Sequence, residues 1–235
     1  MKTSGTIATE KAPSFPAWHA AVLLGMIAVL VALSIVRQGA ANSGTSHRLT
    51  GYLVVAAFEW AMAGWIIAGC RIQGESIYGL LGDYTARWRT VLRDIGLAVG
   101  FLVAANLLLG VLRQLFASTP NEGIKNLLPH TSMENAAFLG LTVTAAFCEE
   151  LIYRGYLQRQ FAAWTGSLSI GVALQGIVFG ASHAYQGLGM VLVISVYGCL
   201  FGLLAIWRKS LRPGMIAHLL QDGVGGLLLA RSVLK

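Results

Sequence analysis

From Ala17 to Val36 the chain runs through twenty consecutive residues without a charged side chain, and six further apolar runs follow it. A helix needs about 20 mostly apolar residues to cross the hydrocarbon core of a bilayer. Inside that core every backbone polar group must find a partner within the protein, which leaves helical bundles and closed barrels as the available folds. The runs are built mainly of Leu, Ala, Val and Ile with 28 glycines and show no strand-like alternation, which selects closely packed helices. Charged residues make up only 11% of the chain, against about 25% in a soluble domain. The fold class is therefore all-α, a polytopic membrane bundle.

Seven spans are predicted, at about 17–36, 52–69, 95–112, 134–156, 169–184, 187–207 and 214–230. The first is too long for the apolar core of a cleaved signal peptide and is read as a retained span. Residues 1–15 and Ser43 to Thr50 are polar connections, and Gln114 to Met133, with Pro120, Asn121, Gly123 and Pro129, is a loop. Between Arg71 and Asp94, Ile77, Leu80, Leu81, Tyr84, Trp88, Val91 and Leu92 recur at near-helical spacing among charges, which predicts an amphipathic helix on the membrane surface. Gly96-x-x-x-Gly100 and Gly198-x-x-x-Gly202 are close-packing patterns. Trp164 to Leu168 and the basic turn Arg208–Arg212 separate the later spans. No repeat or second domain is visible, so residues 1–235 form one membrane domain.

The net charge of +7 comes from Lys and Arg scattered between apolar runs, not from a basic tract, so nucleic acid is not a predicted partner. An inside N-terminus gathers Lys2, Lys11, the Arg71–Arg93 group, Arg159 and Arg208–Arg212 on one side. It leaves Arg37, Arg48, Arg113, Lys125, Arg231 and Lys235 on the other. The positive-inside rule thus predicts N-terminus in and C-terminus out, in the cytoplasmic membrane. Cys70, Cys148 and Cys199 lie within or beside apolar runs and read as packing residues.

Ionised side chains at membrane depth are costly and usually face a partner or a polar cavity. Glu149, Glu150 and Arg154 stand within six residues near the end of the fourth span. Glu150 and Arg154, four apart, share a helix face and can pair, while Glu149 points about a quarter-turn away and is free to face a cavity. His183 lies on the fifth span. His218 and Asp222, again four apart, lie on the last, where Asp222 can orient the His218 ring or both can supply metal ligands. Glu59, in the middle of the second span, is read as a carboxyl paired or protonated between helices. A carboxylate that takes a proton from water, with His and Asp groups that hold a metal or stabilise an oxyanion, is equipment for amide hydrolysis.

Glu149-Glu150-x-x-x-Arg154, then Phe179-x-x-x-His183, then His218-x-x-x-Asp222 resembles the three-motif signature of the CPBP (CAAX protease and bacteriocin-processing, or ABI) intramembrane proteases, over residues 134–230. The third motif ends in Asp222 where many members have Asn. The resemblance implies an intramembrane endopeptidase acting on membrane-associated peptides, prenylated or leader-bearing. Carried over, Glu149 is the general base, His183 positions water or a metal, Glu150 and Arg154 support the site, and His218 and Asp222 stabilise the oxyanion or complete a metal shell. A divalent metal such as zinc would then be held by His183, His218 and Asp222, with Glu149 as a further ligand, and Phe179 would be packing. Two other classes compete: a non-catalytic membrane scaffold or immunity protein that keeps the motifs to stabilise its bundle, and an ion- or proton-coupled transporter using Glu59, Glu149, Glu150 and Asp222 as a relay.

Overall fold

Each apolar run folds into a helix in the computed structural model, which describes residues 15–40, 46–82, 87–116 and 127–233. These are α1 (Ala17–Ala40), α2 (Ser46–Ile72), the short α3 (Ile77–Leu81) and α4 (Trp88–Phe116). They are followed by α5 (Ser132–Thr165), α6 (Leu168–Ser182), α7 (Leu188–Arg208) and α8, which begins at Arg212 and ends at Val233. Among the described residues five helices, α1, α2, α4, α5 and α7, are long and apolar enough to cross a membrane, and α6 is a shorter apolar helix of 15 residues. With α8 they make a polytopic helical bundle. The polar N-terminus through residue 14, Tyr84, the centre of the loop at 117–126, and Lys2, Lys11, Lys125 and Lys235 lie outside the described residues.

The surface helix is shorter than the periodicity predicts. Among the described residues between the spans only Ile77–Leu81 is helical, its Leu80 and Leu81 buried, and Trp88 to Asp94 instead forms the first turns of α4. Arg159 fastens α3 to the bundle by donating to the carbonyls of Gly79 at 2.5 Å and Leu80 at 3.2 Å. Gly82 follows with φ +80°, and a side chain there would run into the Lys209 carbonyl, so only glycine serves this turn.

At its other end α5 starts with a capping box. Thr131 accepts from the Glu134 N–H at 3.2 Å, and Glu134 accepts from the N–H groups of Thr131 at 3.1 Å and His130 at 2.7 Å. Arg48 of α2 pairs with the same Glu134 at 3.1 Å, joining the first turns of two spans.

α5 is the central element. All eight residues from Glu150 to Leu157 are buried, because α2, α3, α6 and α7 pack on this stretch and α1 and α8 reach it through His19 on Tyr156 and His218 on Glu150. Phe15 N–H donates to Gln160 at 3.0 Å and Gln160 donates back to the Phe15 carbonyl at 2.6 Å, so the chain entering α1 is tied to the centre. Glycine lets α6 and α7 approach: a Cβ on Gly198 would come within 3.0 Å of Gly176 Cα, and one on Gly176 within 2.8 Å of the Ser195 carbonyl. The other glycine pattern behaves differently. Gly96 and Gly100 are exposed on α4, with nothing within 4 Å of a Cβ at either.

Candidate active site

Glu149 and Glu150 lie near the middle of the 34-residue α5, where the helix widens into a π turn over Glu150–Leu157. α8 carries a second π turn, Leu220–Val224, which begins two residues after His218 and includes Asp222. Such turns insert a residue into the helical register and recur at functional sites. Here two of them stand beside the charged residues.

Both pairs of residues spaced by four make contact. Arg154 Nη1 is 3.0 Å from Glu150 Oε1, and His218 Nε2 is 3.3 Å from Asp222 Oδ2. His218 then links the two helices: its Nδ1 lies 3.4 Å from Glu150 Oε1 and its Nε2 3.6 Å from Glu149 Oε2. The two carboxylates of α5 thus face opposite nitrogens of one imidazole. Gly214 lets α8 come this close, since a Cβ there would sit 2.7 Å from Glu150 Oε2.

Environment separates the two glutamates. The Glu150 side chain is 0% exposed and locked against Arg154, whereas the Glu149 side chain keeps 17% of its surface open. Arg154 is itself enclosed, its Cζ 4.2 Å from the Phe179 ring centre and 4.9 Å from that of Phe201, with Nη2 donating to the Gly198 carbonyl at 3.4 Å. A planar cation between two aromatic faces and a carboxylate has little freedom to turn. Glu150 and Arg154 therefore form a fixed wall, while Glu149 keeps part of its side chain open and buries only its Oε2 toward His218.

His183 caps the C-terminal end of α6, where its Nδ1 lies 2.9 Å from the Phe179 carbonyl. A carbonyl only accepts, so in the neutral ring Nδ1 carries the proton and Nε2 keeps its lone pair. Phe179 stands between the two histidines, its ring centre 4.8 Å from that of His183 and 6.2 Å from that of His218. Phe179 is packing, but packing that spaces His183 from His218 and roofs Arg154.

Two residues outside the three motifs belong to the same place. Glu59 of α2 is buried and faces Glu149, with His218 and Asp222 within electrostatic reach. Its helix is held there by Trp60, which donates to Thr144 at 3.3 Å and stacks on Phe147 at 5.6 Å. The sequence marks Glu59 only as a lone acid in a span, because its partner is on another helix. Tyr185, in the turn between α6 and α7, is the second. Burial, with Glu149 and Asp222 nearby, pushes its hydroxyl above the ordinary tyrosine range, so it stays a neutral donor. Nothing in its spacing singles it out.

Among the described residues no group of three or more His, Cys, Asp or Glu is arranged to hold a metal ion. His183 spends Nδ1 on a backbone carbonyl and keeps the lone pair on Nε2, while His218 has carboxylates near both nitrogens at ion-pair and hydrogen-bond distances.

The comparisons with known proteins cover the same region. Residues 131–224 match the family described as type II CAAX prenyl endopeptidase Rce1-like. A Bacillus subtilis protein, "Uncharacterized protein YpbD", is 32% identical over 87 residues, covering 36% of this chain and 41% of that protein. The chain thus matches about two fifths of the relative's length, and no solved structure matches it. The stretch of this integral membrane chain that carries Glu149, Glu150, Arg154, His183, His218 and Asp222 is thus the part that is similar to the Rce1-like family.

Proposed function

We propose that the chain is an intramembrane endopeptidase that hydrolyses a peptide bond in a membrane-associated substrate, prenylated CAAX-type termini being the class favoured by the Rce1-like match. The observation that carries this reading is the meeting of a partly open Glu149 with His218 beside a carboxylate that is fully buried and paired.

In this reading Glu149 takes a proton from a water molecule, and the resulting hydroxide adds to the scissile carbonyl carbon. As Glu149 is protonated its hold on His218 Nε2 weakens, and that N–H, still steadied by Asp222, is shared with the oxyanion as it forms. Asp222 cannot donate when ionised, so its part is to hold the His218 ring in place, which accounts for an Asp where an Asn could contact the oxyanion itself. The Nε2 lone pair of His183 accepts a hydrogen bond from the same water and orients it. Glu149 then returns the proton to the leaving nitrogen as the C–N bond breaks, releasing a carboxylic acid and an amine. Each step uses the chain's own residues. We further place the N-terminus and the face carrying Arg93, Arg159, Arg208 and Arg212 inside the cell, by the same excess of positive charge.

The test compares membrane-associated peptides by mass spectrometry in cells carrying the wild type or Glu149→Gln at matched protein levels. The expected result is a defined set of fragments present with the wild type and lost with the variant. An unchanged peptide population, with the wild-type phenotype preserved, removes Glu149 as base and favours a scaffold.

A further inference from the structure

A pair of uncharged amides lies at membrane depth beside the candidate active site. Asn106 stands on α4 about 15 Å along the helix axis before its end at Phe116, exposed among Val103, Leu107 and Leu108. Its Nδ2 donates to the Leu102 carbonyl at 2.9 Å and to Gln221 Oε1 of α8 at 2.8 Å. The Tyr197 hydroxyl of α7 donates to the same Gln221 oxygen at 3.4 Å. These contacts fix both amides. A carbonyl only accepts, so the nitrogen of Asn106 must face Leu102, and the oxygen of Gln221 must then face that nitrogen.

Half of each amide is left over. Among the described residues no hydrogen bond reaches Asn106 Oδ1 or leaves Gln221 Nε2. Joining α4 to α8 uses only the Asn106 nitrogen and the Gln221 oxygen, and a polar atom without a partner in hydrocarbon is costly. Gln221 precedes Asp222 in the π turn of α8, and Tyr197 lies within electrostatic reach of Asp222. Asp222 leaves 44% of its side chain open and Glu149 17%. Polar groups thus run from Glu149 through His218 and Asp222 to the amide pair on the exposed side of α4.

A peptide bond is open to attack only where a membrane substrate is unwound, and there each backbone N–H and carbonyl has lost its partner. In an extended segment the N–H and carbonyl of one residue point the same way, a donor beside an acceptor. The spare Asn106 oxygen and Gln221 nitrogen are the complement of that pair. A lipid ester offers acceptors alone and leaves Asn106 Oδ1 unsatisfied.

We propose that Asn106 and Gln221 bind the substrate backbone between α4 and α8, Asn106 Oδ1 accepting from the N–H of one extended residue and Gln221 Nε2 donating to its carbonyl. The proposal rests on the peptidase reading, so binding and hydrolysis are measured separately. The probe is a fluorescently labelled, farnesylated CAAX-type peptide, with a series in which one backbone amide at a time becomes an ester and loses its N–H. Affinity is read by fluorescence anisotropy on the full Glu149→Gln chain in mixed micelles.

At one position the ester should weaken binding about fivefold, the effect of one hydrogen bond. Adding Asn106→Leu should weaken the amide peptide by about the same factor and erase its advantage over that ester. In the otherwise wild-type chain Asn106→Leu and Gln221→Met should each raise KM about fivefold while kcat changes by less than about twofold. Absence of peptide binding, no ester position sensitive to Asn106, equal weakening of amide and ester peptides, or a fall in kcat at unchanged KM would each overturn the proposal. A peptide that binds through Asn106 but is not hydrolysed by the wild type supports this site and overturns the peptidase reading alone.

Discussion

Arg154→Gln tests the division of labour between the two glutamates. The Arg154–Glu150 pair is 0% exposed on both sides with 3.0 Å between the charges, so loss of the guanidinium strands a buried carboxylate whose Oε2 already has no hydrogen-bond partner. Breaking a buried pair by removing one member costs about 3–5 kcal/mol, and the lost contact with the Phe179 and Phe201 faces adds about 0.5–2 kcal/mol. Glu150→Gln strands the arginine instead and costs a comparable amount. The double variant leaves no unpaired charge, so its cost should fall below the sum of the singles by about 2–3 kcal/mol, a coupling readily resolved from the additivity of about 0.5 kcal/mol seen at independent sites. Reversible unfolding in mixed micelles, followed by tryptophan fluorescence, supplies the four free energies. Additive single costs would refute the assignment of Glu150 and Arg154 as a mutually dependent wall.

Glu149→Gln should behave in the opposite way, lowering peptide hydrolysis by at least about 10²-fold while unfolding stability stays within about 1 kcal/mol, because glutamine keeps the volume of a side chain that has no buried ion pair to lose and is 3.6 Å from His218; a matching loss of stability would contradict this. Gly214→Ala puts a methyl group 2.7 Å from Glu150 Oε2, and the α5–α8 contact should lose about 1–3 kcal/mol, read from the same unfolding assay. Asp222→Ala should lower turnover more than Asp222→Asn, since Asn still engages His218 Nε2 and Ala leaves the ring without its 3.3 Å partner; equal rates for the two would remove the orienting role. A chelator such as EDTA should leave the hydrolysis rate of the purified protein unchanged, and activity lost to EDTA and restored by zinc would overturn the reading of His183, His218 and Asp222 as a metal-free set.

Length and polarity of the runs were enough to read the helices, five of which among the described residues are long and apolar enough to cross a membrane, since a bilayer admits few structures and the hydrophobic requirement is local. Within one helix the spacing of four also fixes neighbours, so Glu150 with Arg154 and His218 with Asp222 were legible before any fold was known. The surface helix shrank to Ile77–Leu81 because α4 takes its own first turns from Trp88 onward, and an apolar period alone does not mark where a membrane helix begins.

What the tertiary structure decided is everything that depends on how helices rotate against one another. Glu59 joins Glu149 only because α2 packs on α5 through Trp60, and one His218 reaches both glutamates only because Gly214 admits α8 at close range. The two glycine patterns are alike in sequence, yet Gly198 meets Gly176 across a tight interface while Gly96 and Gly100 face an open groove. His183 takes its tautomer from the backbone carbonyl of Phe179, which leaves the lone pair on Nε2. Sequence determined which residues could not remain in lipid without partners. Packing chose the partners, because at membrane depth desolvation penalises every unpaired charge while the register between helices is set by side-chain shape.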